Sequence, residues 1–427
     1  MAEIVPFRGL RYRDDVPGGL GGVIAPPYDV ISPQQQEALY ERSPFNVIRL
    51  EYGREPAPAR YHTAARELAA WRADGAALQA EPRPVLYRYT QRFEHDGHRY
   101  ERTALIGRVR LEPIEAGVIR PHEFTMAKPK EDRLALLRAT RTNVSPVFSL
   151  INDPQRRFSA VVRDAPVVDR AEGVDVVGQS HVIETIADPD ALASLVESVR
   201  DRPLYIADGH HRYETALAYR AERPDDPAAA FVLMAISAAG DPGLLILPIH
   251  RLVRPRTPCP DFETRLGAIF DIEDAGPLED EEALRRLAGE LHASADRLDL
   301  AALGVRPGRV LRLRLRDRPA VEARMPAERT PAWRQLAVNV LQFGVLEPLL
   351  GIDADALVSG EYVEFSEDAR EAAQAVRSGH VPLAFLVPAT RPDELIAVAD
   401  AGDRMPQKST YFYPKLGTGL VLNAHDL

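Results

Sequence analysis

The stretch LYIADGHHRYET, residues 204–215, carries the clearest local pattern in the chain. Its first four residues are apolar and are typical of a buried strand, and Asp208-Gly209 is a turn signal. The residues that follow, as far as Ala221, have the pattern of a helix that begins near His210. The stretch therefore predicts a strand, a tight turn and a helix, which is the local unit of an α/β or mixed α+β fold.

A turn of this kind is also a predicted anion site. The first N–H groups of a helix have no partner within the helix, and its dipole places positive charge at the same end. His210, His211 and Arg212 add side-chain donors there, and Arg212 can grip a phosphate through two nitrogens. Asp208 could hold magnesium beside that phosphate. Adjacent histidines are poorly spaced for zinc, and a histidine-rich helix start without a ligand is the plain alternative.

Lysine is rare in this chain and is clustered. Only four of the 53 basic side chains are lysines, and they occupy two short segments. An ammonium group is a compact charge that rotates its donors onto phosphate, so both segments are candidate phosphate sites. A general preference for arginine explains why lysine is scarce, but it does not explain the clustering of Lys128, Lys130, Lys408 and Lys415.

The first lysine segment, RPHEFTMAKPKEDR, spans residues 120–133. It combines a histidine, carboxylates and cations, the groups that acid–base and phosphate chemistry use. The alternative is a charged surface loop before a solvated helix start. The second histidine of a zinc-protease helix is missing. The candidates are His122, Glu123 and Asp132 for proton transfer, and Lys130 and Arg133 for phosphate.

The second lysine segment, GDRMPQKSTYFYPK, spans residues 402–415 and only partly resembles a P-loop. Gln407 stands where the second glycine is needed, and residues 411–414 favour an extended chain over a helix. A P-loop is therefore rejected, and a terminal strand that closes the fold is the alternative to a binding loop. The candidate phosphate donors are Lys408, Ser409, Thr410 and Lys415.

Two segments near the amino terminus supply substrate-binding candidates. In APPYDVIS, residues 25–32, two prolines stiffen the chain and present Tyr28 and Asp29 on a turn, although an ordinary helix-capping turn fits as well. In SPFNVIR, residues 43–49, we predict a strand start that carries Asn46 and Arg49, which could bind a carboxylate.

Length and composition limit the class of protein. A chain of 427 residues with 45% hydrophobic content can form two or three domains. The net charge of −10 argues against a general nucleic-acid or membrane-surface binder. A single cysteine and an amino terminus without an apolar run favour the cytoplasm. We divide the chain into residues 1–200, the box segment 201–255, an acidic helical lobe at 256–330, and a carboxyl-terminal region at 331–427.

Several motifs together resemble one family. APPYDVIS, SPFNVIRL, PHE...KxDR, IADGHHRYETAL and MPQKSTYFYPKL occur in the order seen in the bacterial and archaeal family called domain of unknown function 1015. The DGHHR box, Asp208 to Arg212, is in addition similar to the phosphate-binding box of the ParB and sulfiredoxin superfamily, in the form used by its free-serine kinases. The resemblance implies a ParB/sulfiredoxin-like core with additional amino- and carboxyl-terminal lobes.

The same resemblance implies a phosphotransferase that acts on free L-serine or O-phosphoserine in either direction, with ATP or ADP as co-substrate and Mg²⁺ as cofactor. Only the five box residues carry over. The catalytic glutamate of the kinases has no aligned counterpart, so Asp29 and Glu123 are candidates on chemistry alone. The alternative is a ParB-like nucleotide switch or hydrolase that controls a protein partner, and a homodimer is compatible with either. If the lysines serve the box, Lys128 or Lys130 and Lys408 or Lys415 should converge on it.

Overall fold

The computed structural model describes residues 1–124, 127–293 and 298–427, and of residues 127–129 it describes the backbone only. The strands are β1 Ile4–Val5, β2 Leu10–Tyr12, β3 Leu78–Ala80, β4 Leu86–His95, β5 His98–Arg110, β6 Ile119–Pro121, β7 Thr142–Asn143, β8 Val147–Ile151, β9 Asp169–Val174, β10 Ser180–Ile186, β11 Leu204–Asp208, β12 Phe231–Ala238, β13 Leu245–Leu247, β14 His250–Val253, β15 Phe270–Pro277, β16 Asp299–Leu303, β17 Arg309–Leu315, β18 Val363–Ser366, β19 Leu383–Leu386, β20 Tyr411–Tyr413 and β21 Asn423–Ala424.

The α-helices are α1 Gly19–Val23, α2 Pro33–Arg42, α3 Ile48–Glu51, α4 Ala59–Arg72, α5 Ala127–Thr140, α6 Arg157–Asp164, α7 Pro189–Val199, α8 His210–Glu222, α9 Phe262–Gly267, α10 Glu281–Ala293, α11 Arg318–Glu322, α12 Pro331–Arg334, α13 Ala337–Leu341, α14 Glu347–Leu350, α15 Ala354–Ser359, α16 Ala369–Arg377 and α17 Pro392–Asp400. Helices and strands are mixed along the chain, so the predicted mixed α/β class is confirmed. Within the described ranges, no helix is long and apolar enough to cross a bilayer.

The chain divides into two compact units. Unit 1 comprises Met1–Pro121, Thr125–Leu245 and Pro414–Leu427, and unit 2 comprises His122–Phe124 and Ile246–Tyr413. Each unit is therefore built from segments that are distant in sequence. The second lysine segment is divided between them, because unit 1 resumes at Pro414.

Unit 1 is built on a nine-stranded mixed sheet. Its order is β6-β11-β8-β12-β5-β4-β10-β9, and β1 pairs with β5 off this path. Strand β11 runs parallel to β6 and antiparallel to β8, while β8 is parallel to β12. Strands β4 and β5 form a hairpin, and its turn residues Asp96 and Gly97 both have positive φ. One face of the sheet packs against α6, α7 and α8 through apolar side chains such as Leu105, Ile206 and Tyr213.

Unit 2 contains a six-stranded sheet in the order β15-β17-β16-β19-β14-β18, in which every pairing is antiparallel. Helices α10 and α16 cover it through leucines and alanines. Residues 256–330, which we predict as a separate lobe, supply β15, β16 and β17. Strand β16 pairs with β19, with Ala302 opposite Phe385, so backbone hydrogen bonds cross the sequence-based boundary at residue 330.

Candidate functional site

The DGHHR box has the predicted strand, turn and helix. Strand β11 ends at Asp208, and α8 begins at His210. Between them Gly209 adopts φ +87°, a left-handed conformation that glycine reaches without strain. A β-carbon at this position would lie 2.8 Å from Nε of Arg212. The glycine therefore permits both the turn and the close approach of the arginine to the start of the helix.

Asp208 is held between two cations. Its two carboxylate oxygens accept hydrogen bonds from the ammonium group of Lys415 and from Nη2 of Arg212, the latter at 2.5 Å. Burial alone would raise the pKa of Asp208, but the charges of Lys415 and Arg212 outweigh burial and hold that pKa well below its ordinary value. Asp208 is therefore an anion at neutral pH, and the cluster of three side chains carries one net positive charge. We call these three residues the Asp208 cluster.

Arg212 has two anchors. Nη1 donates to the carbonyl oxygen of Pro146, and Nη2 donates to Asp208. The guanidinium group is thus fixed across the first turn of α8, at the positive end of the helix dipole. A fixed cation at the amino end of a helix is an arrangement that binds phosphate, sulfate or carboxylate.

His211 and Lys130 flank the cluster along the helices. Burial lowers the pKa of His211; the Glu214 charge raises this pKa and the Lys130 charge lowers it. Lys130 on α5 donates to the Glu214 carboxylate at 2.9 Å, so the two side chains form an ion pair between α5 and α8. The electrostatic effect of His210 also lowers the pKa of Asp208. His211 is therefore largely neutral at pH 7 and can gain charge when an anion binds.

The APPYD segment lies near the same turn. Tyr28 and Asp29 belong to a short 3-10 helix, Tyr28–Val30. The guanidinium carbon of Arg133 lies 4.1 Å from the centre of the Tyr28 ring. Burial raises the pKa of Tyr28 to about 12, and both Asp29 and Arg212 act electrostatically on it. Asp29 also acts on His211 and is exposed, so it is a solvent-accessible carboxylate beside the box.

Asn46 and Arg49 differ from the sequence-based expectation. The predicted strand start is the short helix α3, Ile48–Glu51. Asn46 is fully buried, and its amide nitrogen donates to the carbonyls of Gly22 and Ile24 at 2.8 and 3.0 Å. Arg49 stacks over the Tyr40 ring. The Asn46 amide favours the helical turn because it also accepts from the backbone of Ile48; it shapes the chain that precedes APPYD.

Asp132 and Arg133 belong to a buried ionic network. Asp132 accepts from Tyr61 at 2.6 Å and from Arg60, and Arg133 donates to Asp132 at 2.5 Å. Nη1 of Arg133 also lies 3.4 Å from the Glu51 carboxylate. Burial raises the pKa of Asp132, but the neighbouring Arg133 and hydrogen bonds lower it overall. Asp132 is therefore an ionised partner of Arg133.

This network borders a small cavity that also touches the box. Its lining includes Glu51, Arg133, Ser145, Arg212 and Thr215. Two guanidinium groups and one buried carboxylate thus face the same space behind the first turns of α8. Of the Asp208 cluster, Arg212 lines this cavity.

The residues of the box do not form a magnesium site by themselves. In the described parts of the chain, no group of three or more histidine, cysteine, aspartate or glutamate side chains is placed to hold a metal ion. Both oxygens of Asp208 are engaged by cations, which oppose a divalent ion at the same carboxylate. The expected role of Asp208 as a magnesium ligand does not fit this arrangement.

Unit 2 brings together the other two predicted segments. His122 is fully buried, and its Nε2 lies 2.9 Å from Oγ1 of Thr410. The backbone N–H of Lys408 donates to a Glu123 carboxylate oxygen at 3.2 Å. These contacts join positions 285 or more residues apart.

The hydroxyl of Ser409 is used locally, since it donates to the carbonyl of Pro406 at 2.6 Å. A P-loop would be followed by a helix, but strand β20 follows this segment. The rejection of a P-loop is therefore consistent with the structure. Two of the four lysines make ion pairs within unit 1, because Lys415 reaches Asp208 and Lys130 reaches Glu214. Lys408 belongs to unit 2, and the side chain of Lys128 lies outside the described residues.

Three residues that contact this part of unit 1 were missed by sequence reasoning. Gln91 and Arg102 donate to the chain around Lys415, and Glu51 faces Arg133. Gln91 and Arg102 have one signal in the sequence. Each is a polar or charged residue at a position of an alternating strand that should face inward. Glu51 lies outside every motif and gives no such signal.

Three solved structures that are similar to this chain are remote from it in sequence. A conserved hypothetical protein from Pyrococcus furiosus is 12% identical with a TM-score of 0.35, covering 76% of this chain and 97% of its own. A free serine kinase variant in complex with ADP is 11% identical with a TM-score of 0.36, covering 74% and 92%. SbnI from Staphylococcus aureus, truncated at its carboxyl terminus, is 10% identical with a TM-score of 0.34, covering 75% and 87%.

No functionally curated protein matches the sequence significantly. A family model described as "Protein of unknown function (DUF1015)" matches residues 4–338, more than three quarters of the chain. The protein therefore belongs to the DUF1015 family.

Proposed function

We propose that this protein is a phosphotransferase that moves a phosphoryl group between a nucleotide and free serine, with O-phosphoserine as product or donor. The observation that carries the proposal is the Asp208 cluster, because it fixes two cations at the amino end of α8. The sequence similarity of the box to that of free-serine kinases supports the choice of substrate class.

The phosphate would lie against the first N–H groups of α8. Arg212 supplies two donors, His211 supplies a ring nitrogen, and Lys415 contributes a compact charge from the side of Asp208. Phosphoryl transfer depends on positioning and on stabilising charge at the phosphoryl oxygens more than on covalent steps by the protein. A preorganised set of donors meets both needs without reorganisation when the substrate arrives.

Asp29 is the carboxylate we assign to the serine hydroxyl. It is exposed, and it lies close enough to His211 and Tyr28 to influence the pKa of both. Deprotonation of the hydroxyl by a carboxylate makes the oxygen a better nucleophile toward the phosphorus. Glu123 remains the second candidate by chemistry, but one of its oxygens already accepts from the Lys408 backbone.

The test is a phosphorus NMR assay on the purified protein. One reaction contains ATP with L-serine, and a second contains ADP with O-phosphoserine, each with and without magnesium. We expect O-phosphoserine to appear or disappear with matching nucleotide conversion. If nucleotide is hydrolysed while serine stays unmodified, the switch or hydrolase alternative replaces the kinase assignment; if all phosphorus signals stay unchanged, no phosphotransfer to serine takes place.

A matched pair of variants links activity to the box. Arg212→Met removes the guanidinium group that bonds Asp208 and the Pro146 carbonyl. Arg220→Met is the control, because Arg220 lies on the same helix and also donates to a backbone carbonyl, that of Leu111. We expect loss of about 100-fold or more in kcat/KM for Arg212→Met and near wild-type values for Arg220→Met.

A further inference from the structure

The segment that carries Lys415 crosses one face of the unit 1 sheet, and side chains of the two central hairpin strands hold it there. Nη2 of Arg102 on β5 donates to the carbonyl of Pro414 at 2.7 Å. Nε2 of Gln91 on β4 donates to the carbonyl of Lys415 itself at 3.1 Å. The backbone of Gly417 hydrogen-bonds to Tyr89. The backbone is thus fixed on both sides of Lys415.

The anchoring groups are themselves buried and mutually ordered. Gln91 and Arg102 are opposite each other in the β4–β5 pairing and are joined by a 2.5 Å hydrogen bond from Arg102 to the Gln91 amide oxygen. Arg102 is 1% exposed and Gln91 is fully buried. Burial lowers the pKa of Arg102 to about 10, so the guanidinium group is still charged at neutral pH. A buried charge is costly to keep without a specific use.

The register of the sheet connects these anchors to the box. Arg102 lies 5.0 Å from the centre of the Phe148 ring, and Phe148 on β8 is paired with Asp208 on β11. Residues paired across strands present their side chains to the same face. Arg102, Phe148 and Asp208 therefore lie on the same face of the unit 1 sheet. From the segment that Arg102 holds on this face, the Lys415 side chain reaches Asp208.

We infer that Arg102 and Gln91 are positioning residues that hold the Pro414–Lys415 backbone so that the Lys415 ammonium group meets Asp208. They act through Lys415 and touch no substrate in this assignment. The consequence for phosphate binding rests on the proposed function, because the Asp208 cluster orients Arg212 at the start of α8. If the segment were not anchored, Lys415 would lose side-chain and backbone entropy whenever it bound Asp208. The hydrogen bonds to the carbonyls of Pro414 and Lys415 remove most of that cost.

The test uses the scarcity of lysine. Protein labelled with ¹⁵N at the lysine side chains gives ammonium signals from only four lysines, and Lys415→Arg assigns the signal of Lys415. An ammonium group held in a buried ion pair exchanges its protons slowly and gives an observable signal. We expect this signal to broaden or vanish in Arg102→Met and in Gln91→Glu. The second variant has nearly the same shape and keeps an acceptor for Arg102, but it lacks the Nε2 donor to the carbonyl of Lys415 and to the side-chain oxygen of Gln179.

Arg108→Met is the matched control. Arg108 lies on the same strand, is half-buried and stacks on the rings of Phe7 and Phe231. We expect the Lys415 signal to be unchanged in this variant. If Gln91→Glu and Arg102→Met both fold and both leave the signal unchanged, the positioning role is overturned. If Arg102→Met does not fold, Gln91→Glu alone decides the question.

Kinetics separate this inference from the proposed function. We expect Gln91→Glu to lower kcat/KM for phosphotransfer by about 10- to 100-fold, because small displacements of a charged group are costly in catalysis. A wild-type protein without phosphotransfer activity whose Lys415 signal nevertheless responds to Gln91→Glu would refute the function and leave the positioning role intact. Full phosphotransfer activity together with an unchanged signal in Gln91→Glu would refute the positioning role alone.

Discussion

The ammonium group of Lys415 donates a hydrogen bond to a carboxylate oxygen of Asp208, which lies 207 positions earlier in the chain. The second oxygen of the same carboxylate accepts from Arg212, one helical turn further on. The carboxyl-terminal segment therefore completes a charged cluster whose other members come from the strand-to-helix turn. The cluster therefore depends on two segments that are distant in sequence, the strand-to-helix turn and the segment around Lys415.

Replacement of Lys415 should destabilise unit 1 and weaken phosphate binding. Lys415→Met leaves Asp208 with one cation, and loss of one partner from a largely buried ion pair costs about 3 kcal/mol. Lys415→Arg keeps the charge and should cost less. Urea unfolding measures both variants. In a double-mutant cycle with Asp208→Asn, additive effects would contradict an energetic coupling between the two residues.

Gly209→Ala should damage the turn more than an ordinary glycine substitution. The alanine β-carbon would meet the Arg212 side chain at 2.8 Å, and φ +87° is strained for any residue with a β-carbon. We expect a loss of about 2 kcal/mol in the free energy of unfolding together with weaker phosphate binding. Gly240→Ala is the control, because its φ is not in the left-handed range and no atom lies within 4 Å of the added carbon. Equal effects of the two substitutions would refute the strain at Gly209.

Asp29→Asn should separate catalysis from binding. If Asp29 accepts the serine hydroxyl proton, replacement of its carboxylate by an amide should lower kcat by about 100-fold or more, while nucleotide affinity changes little. Glu41→Gln, an exposed carboxylate at the end of the following helix, serves as the control. Glu123→Gln is measured in parallel. A large loss of kcat in Glu123→Gln with an active Asp29→Asn would transfer the role of base to Glu123.

Anion affinity should depend on pH through His211. Burial lowers the pKa of His211 from its ordinary value of 6.5, with opposing effects from Glu214 and Lys130 and further effects from Asp29 and Arg212. The ring is therefore neutral at pH 7 and gains charge as the pH falls toward 5. Sulfate keeps its charge over this range and is the probe.

We expect sulfate to bind about 5-fold more tightly at pH 5 than at pH 7, measured by calorimetry, because a charged donor forms the stronger hydrogen bond. In His211→Asn this pH dependence should largely disappear. A variant that retains the full pH dependence would place the titrating group elsewhere.

Asn46→Ala should lower stability without changing the chemistry of the box directly. The Asn46 amide satisfies two buried carbonyls, of Gly22 and Ile24, and the substitution leaves both without that donor. We expect a cost of about 2–4 kcal/mol in the free energy of unfolding. Gln36→Ala, whose amide serves one partly buried carbonyl, should cost about 1 kcal/mol. A similar cost for both would mean that the buried amide has no special role.

Much of the local structure could be predicted because it depends on residues that are close in sequence. The strand, glycine turn and helix at 204–222 follow from a run of apolar residues and from the conformational freedom of Gly209. The hairpin around Asp96-Gly97 follows from its turn residues. The segment 43–49 was predicted wrongly as a strand start, because the helical turn there depends on Asn46 hydrogen bonds to residues more than 20 positions earlier.

The sequence by itself determined the box, its helix start and the family to which the chain belongs. The scarcity of lysine also marked Lys415 as unusual, but nothing in the sequence separated its role from that of Lys408. Only the tertiary structure decided that Lys415 pairs with Asp208 while Lys408 belongs to unit 2. The physical reason is that turns and helices are set by neighbouring residues, whereas an ion pair across 207 positions depends on the register of the sheet and on the buried anchors Gln91 and Arg102.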